Sequence, residues 1–211
     1  MKLKVCGMRD PENIRHLVTE IQSDWMGLIF HPASPRFVDH IIADQIKEIK
    51  VRKVGVFVNA AISEIQEKIQ DFGLSTLQLH GGETVHEVRE IKGKTGLEIF
   101  KVFSVDDKIQ WTSMEPYLPF VDYFLFDTFT KSYGGSGKTF NWDLLQDYPF
   151  DKPFLLSGGI NIEHIDSILM LKSIVPQMAG LDINSKFEIE PGFKNLTLIK
   201  EFKKEIEKKY N

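Results

Sequence analysis

Residues 53–80 read KVGVFVNAAISEIQEKIQDFGLSTLQLH and change period twice. Lys53–Val58 is a short run rich in Val and Phe that ends at Asn59, the composition of a buried strand. From Ile62 the apolar residues fall at Ile62, Ile65, Ile69 and Phe72, three and four apart, so they form one stripe of a helix that ends at Gly73. Thr76–His80 then returns to a strand-like run. A strand, a helix and a second strand in so few residues argue for a parallel sheet covered by helices.

The same alternation extends in both directions and occurs eight times. The other strand candidates are Leu3–Met8, Trp25–Phe30, Ile99–Ser104, Tyr123–Thr128, Phe154–Ser157 and Met178–Ile183. The helix opening at Pro11 has Asp10 as its N-cap. Another runs Asn161–Leu171. The last, Leu196–Lys209, places Leu198, Ile199, Phe202 and Ile206 on one stripe, with lysines near its C-terminus where they complement the helix dipole. Eight such units in 211 residues predict an α/β chain folded as a single (β/α)8 barrel domain over residues 1–211. No Gly-rich dinucleotide fingerprint follows the first strand, which argues against an open doubly wound sheet.

Composition narrows the function class. Hydrophobic residues make up 42% and charged residues 27%, the balance of a globular protein. The 26 basic and 30 acidic side chains give a net charge of −4 with no long basic block, so nucleic acid is not an expected partner. No apolar run is long enough to span a bilayer, and the N-terminus reaches charge too soon for a signal peptide. Cys6 is the only cysteine, so no internal disulfide can form. A reducing, cytoplasmic setting is expected. No His/Cys/Asp cluster at ligand spacing points to a metal.

In a barrel of this kind chemistry sits where strands end, and several strand ends here carry reactive groups. Cys6 ends the first strand, and strand alternation places Lys4 on its face, where an ammonium favours the thiolate. Asp127 closes Phe124-Leu125-Phe126 and suits a general acid. Arg36 lies in a loop stiffened by Pro32 and Pro35 after the second strand, positioned to clamp a carboxylate. His80 shares a face with Gln78 and reads as a hydrogen-bonding residue. Ser157-Gly158-Gly159, with Asn161 as a cap, suits an anion at a helix N-terminus. Unless it reaches solvent through the barrel floor, inward-facing Lys4 needs either a carboxylate partner or a lowered pKa, and Asp182 on the eighth strand is the candidate partner. The Gly-rich loop 131–138 lacks the spacing of a nucleotide phosphate loop and reads as a mobile loop, a property useful in an active-site lid.

Lys4-Val5-Cys6-Gly7-Met8, Ser34-Pro35-Arg36, Leu77-Gln78-Leu79-His80-Gly81, Phe126-Asp127-Thr128, Gly134-Gly135-Ser136-Gly137-Lys138, Leu156-Ser157-Gly158-Gly159 and Pro191-Gly192 occur in one order along the chain. As an ordered set they closely resemble the phosphoribosylanthranilate isomerase family. The resemblance implies an Amadori rearrangement of N-(5-phosphoribosyl)anthranilate in tryptophan biosynthesis, with no cofactor or metal, by a monomer or homodimer. It implies Cys6 as general base and Asp127 as general acid. It further implies substrate contacts from Arg36, His80, Gly135, Ser157, Gly158, Gly159, Asp182, Asn184 and Ser185, with Arg36 on the anthranilate carboxylate. The 157–159 and 184–185 backbones would then hold the phosphate. Two departures stand out. Lys186 replaces a glycine beside the phosphate loop, and Asn195 replaces an aspartate.

Overall fold

The computed structural model describes residues 1–128 and 139–210. Eight parallel strands close into one barrel: β1 (Lys2–Val5), β2 (Trp25–Ile29), β3 (Lys53–Phe57), β4 (Thr76–Leu79), β5 (Glu98–Val105), β6 (Tyr123–Thr128), β7 (Phe154–Leu156) and β8 (Met178–Ile183). The ring closes where β8 pairs with β1, in a register that sets Lys4 opposite Asp182. Every expected strand is present. The expected ends run one to three residues too far at several C-terminal edges, where residues such as Cys6 and His80 keep one backbone hydrogen bond to the neighbouring strand and then lead into the βα loops.

The outer layer is less regular than the alternation implies. Described helices are α1 (Pro11–His16), α2 (Ala43–Lys47), α3 (Ile62–Phe72), α4 (Val85–Thr95), α5 (Trp111–Met114), α6 (Ile165–Ile174) and α7 (Leu196–Tyr210). Asp10 caps α1 through the Asn13 N–H, with Pro11 at the first helical position. α3 ends at Gly73, whose φ of +64° is open to glycine at little cost. The crossovers through α2 and α5 are single turns extended by 3-10 segments. Trp142–Leu145 is a 3-10 turn where a full helix is expected between β6 and β7. Asn161 caps a 3-10 turn, Ile162–His164, that leads into α6, so the cap is as expected but the α-helix begins four residues later.

Two apolar regions result. The larger lies between strands and helices. A smaller one fills the barrel interior with Trp25, Val54, Phe100, Val102, Leu125 and Leu155. At the end where the strands begin, Trp25, Phe100 and Tyr123 pack edge to face with ring centroids 5.1–5.6 Å apart. The Lys2 ammonium lies over the Trp25 and Tyr123 rings. This aromatic plug packs the floor, beneath the polar side chains that gather toward the opposite rim.

Candidate active site

The rim is built from the ends of β1, β2, β4, β6, β7 and β8. Cys6 leaves β1 with its N–H on the Ile183 carbonyl at 2.9 Å. Gly27, on the neighbouring strand, makes room for it: a Cβ there would sit 2.8 Å from the Cys6 sulfur and 3.2 Å from the Lys4 Nζ. Beneath the thiol, Lys4 Nζ donates to both Asp182 oxygens at 2.9 Å, with both side chains buried. The pairing inferred from strand alternation is therefore present.

The expected influence of Lys4 on the thiol needs correction. Burial pushes the Cys6 thiol above the ordinary thiol range, and the adjacent Lys4 ammonium pulls it back without prevailing. Burial is the main reason the ammonium loses, and the negative charge of Asp182 adds a smaller upward push. Burial works against the charge on Lys4, yet Asp182 and Cys6 together raise it above the ordinary lysine value. The resting arrangement is an ammonium–carboxylate pair under a neutral thiol.

Asp127 ends β6 and accepts from the Thr128 N–H at 2.9 Å. Its other oxygen lies 3.4 Å from His80 Nε2. His80 Nδ1 in turn lies 2.9 Å from the buried Gln78 carboxamide. His80 thus has the hydrogen-bonding role read from its sequence position, and it borders the proposed acid. Gly158 adjoins the same carboxylate. Its φ is +87°, and a Cβ on it would reach within 3.0 Å of Asp127 Oδ1 and run into Thr128. Gly159 is also left-handed, at +64°. Among the described residues neither glycine N–H donates a hydrogen bond. With Ser157 they form a turn of the kind that approaches an anion closely.

Across the β8–β1 seam, Arg36 is a buried arginine that already holds a carboxylate of the chain itself. The loop after β2 folds back, with the Val38 N–H on the Ile29 carbonyl at 2.9 Å, and buries Arg36 against Glu188. Its Nε and Nη2 both donate to that carboxylate at 2.6–3.0 Å. Any substrate carboxylate on Arg36 must share it with Glu188. Glu188 opens β9 (Glu188–Glu190), which pairs with β10 (Phe193–Lys194) beside the barrel. Lys194 is buried, with Nζ donating to Glu188 Oε1 at 2.6 Å and to Asn184 Oδ1 at 2.7 Å. Glu188 and Lys194 were not among the sequence candidates.

Asn184 and Ser185 follow β8, where a 3-10 turn, Ser185–Phe187, begins. Lys186 is exposed and is not among the residues with positive φ, so replacement of glycine leaves this turn unstrained. Asn195 caps α7 through the Leu198 N–H at 3.1 Å, a task its amide oxygen performs as a carboxylate would. Gly135 lies outside the described residues. Among those described, His40, Glu67 and Asp71 form a group with metal-ligand types, but they sit on the outer helical layer away from the rim. No described helix is long and apolar enough to cross a membrane.

A barrel rim with a thiol and a carboxylate on strands 1 and 6, an arginine after strand 2 and a glycine turn after strand 7 matches known proteins over its whole length. The family model described as N-(5'-phosphoribosyl)anthranilate (PRA) isomerase matches residues 3–205. An N-(5'-phosphoribosyl)anthranilate isomerase of Phocaeicola vulgatus is 44% identical over 209 residues, covering 99% of both chains. Among solved structures, phosphoribosyl anthranilate isomerase from Thermotoga maritima superposes with a TM-score of 0.82 at 32% identity, covering 99% of each chain. A phosphoribosyl anthranilate isomerase in complex with reduced 1-(o-carboxyphenylamino)-1-deoxyribulose 5-phosphate matches with a TM-score of 0.78 at 29% identity, also over 99% of each. With the family model matched over residues 3–205 and a relative 44% identical over 209 residues, the chain belongs to the N-(5'-phosphoribosyl)anthranilate isomerase family.

Proposed function

We propose that the chain converts N-(5-phosphoribosyl)anthranilate to 1-(2-carboxyphenylamino)-1-deoxyribulose 5-phosphate, a step of tryptophan biosynthesis, by general acid and base catalysis from Asp127 and Cys6. The observation that carries this reading is the placement of these two groups at the ends of β1 and β6, on well-separated parts of one rim. The reaction needs two proton movements at neighbouring atoms of an open sugar, one delivered and one removed.

Asp127 gives its proton to the furanose ring oxygen as the C1′–O bond breaks, and the nitrogen lone pair forms the iminium. Cys6, as thiolate, takes the C2′ proton. The electron pair released neutralises the iminium and gives an enolamine, which tautomerises to the ketone. The resting thiol first releases its proton to solvent, and the Lys4 ammonium beneath it stabilises the resulting thiolate against the effect of burial. Arg36 holds the anthranilate carboxylate, and the 157–159 and 184–185 backbones hold the phosphate. Support for a ligand of this class comes from the relative crystallised with the reduced product, which carries both a carboxyphenyl group and a 5-phosphate. The reaction as written draws on no cofactor.

A coupled assay tests the activity. Anthranilate, phosphoribosyl pyrophosphate and the transferase generate the fluorescent substrate in place, and adding this protein should abolish its fluorescence. Persistence of the fluorescent intermediate at micromolar enzyme would reject the proposal.

A further inference from the structure

The rim holds a buried charge cluster that does not balance. Arg36, Glu188 and Lys194 all have side chains less than 10% exposed, and they contribute two positive charges and one negative. Glu188 is fully occupied. One oxygen accepts from Arg36 Nε, Lys194 Nζ and the Gly192 N–H, and the other from Arg36 Nε and Nη2. A guanidinium has two edges able to grip a carboxylate, one through Nε and one across the two terminal nitrogens. Glu188 takes the Nε edge, and among the described residues Arg36 Nη1 donates to nothing. The nearby Lys4–Asp182 pair is neutral as a unit and cannot supply the missing negative charge.

We propose that Lys194 is a positioning residue for carboxylate recognition: by neutralising Glu188 from behind, it leaves Arg36 with a full positive charge for a second carboxylate, that of the substrate. Without Lys194, Glu188 alone would satisfy Arg36, and an arriving carboxylate would meet a neutral pair with one anion already in place. With Lys194 the cluster is one charge positive in a site poor in water, where such a charge attracts an anion strongly. The same ammonium fixes the Asn184 side chain by holding its carbonyl oxygen, which turns the amide N–H groups away from Lys194. This inference rests on the reading of Arg36 as the carboxylate clamp.

The test compares kcat/KM for N-(5-phosphoribosyl)anthranilate with that for N-(5-phosphoribosyl)aniline, which lacks only the carboxylate. Taking the ratio removes any effect common to both substrates. K194M should lower the ratio on the order of tenfold, the size of one charged hydrogen bond, with the loss in KM. The double variant K194M/E188Q restores one net positive charge and should recover most of the ratio. Equal losses for both substrates in K194M, or no recovery in the double variant, would overturn the proposal. R36M separates the two levels. If R36M leaves the ratio unchanged, the clamp reading itself falls; if R36M lowers it and K194M does not, only the role of Lys194 falls.

Should K194M fail to fold, pH on the wild type performs the same removal of charge. Burial lowers Lys194 to about 8 against the pull of Glu188. The charged groups that act on it are Glu188, Cys6 and Arg36. The ratio should therefore decline as pH rises through about 8, while the direct effect of Cys6 titration on proton transfer is common to both substrates and cancels. A ratio that stays flat across that range overturns the proposal.

Discussion

Replacing Lys4 with methionine isolates the buried pair at the centre of the barrel. Lys4 is fully buried, Asp182 is 5% exposed, and the two are joined by a pair of 2.9 Å hydrogen bonds. K4M keeps most of the volume of the lysine stem and strands the Asp182 carboxylate where water cannot reach it. Removing one member of such a pair costs about 3–5 kcal/mol. For a chain of this size that corresponds to a fall of roughly 6–20 °C in Tm. Equilibrium urea unfolding followed by far-ultraviolet circular dichroism measures it. The pH dependence gives a second check. In K4M the folded-state carboxylate of Asp182 titrates above its unfolded value, so the penalty is present at neutral pH and shrinks as acid protonates the group. The gap between variant and wild type should be smaller near about pH 5 than at about pH 8. The double replacement K4M/D182L should recover most of the loss, because two apolar groups need no partner. A K4M cost below about 1 kcal/mol, or a gap that widens on acidification, would refute the reasoning.

Three further outcomes are expected. C6S should keep substrate affinity and lose roughly 10²–10⁴-fold in kcat; and since burial holds the thiol above its ordinary range, the ultraviolet thiolate signal that C6S removes should emerge only at alkaline pH. G158A forces a left-handed backbone onto a side chain that meets Thr128 and Asp127, so steady-state kinetics should show a large loss in kcat/KM, and a fully active variant would show that this turn does not set the acid. Lys194 has a folded value of about 8 against 10.5 when free. Between those values the unfolded chain binds more protons, so folding stability gains from this residue as pH rises across that window, by about 3 kcal/mol in total. Urea melts at both ends of the window should show wild type gaining on K194M by that order, and no relative gain would contradict the burial-driven shift.

The barrel was legible because its strands are written as apolar runs with turn residues at regular intervals, as in residues 53–80. The pair of Lys4 with Asp182 was legible because strand alternation and ring closure together leave few inward partners. Arg36 was found by its place after β2, but its burial was not, since nothing in the sequence near it hints at Glu188, far along the chain. Glu188 and Lys194 lie on a short hairpin whose register shifts between Phe193 and Lys194. That hairpin has neither a helical nor a strand period, so no pattern marks which side chains turn inward. The helical layer was over-read at α2, α5 and the β6–β7 crossover for a related reason. A single turn buries too few residues to leave a 3.6-residue stripe, and tertiary packing alone decides its length.

The aromatic plug of Trp25, Phe100 and Tyr123 makes the barrel a vessel with one door. Among the described residues the packed floor offers no second opening, so what enters at the rim leaves at the rim. Arrival and departure therefore take turns, and product that stays bound occupies the place the next substrate needs.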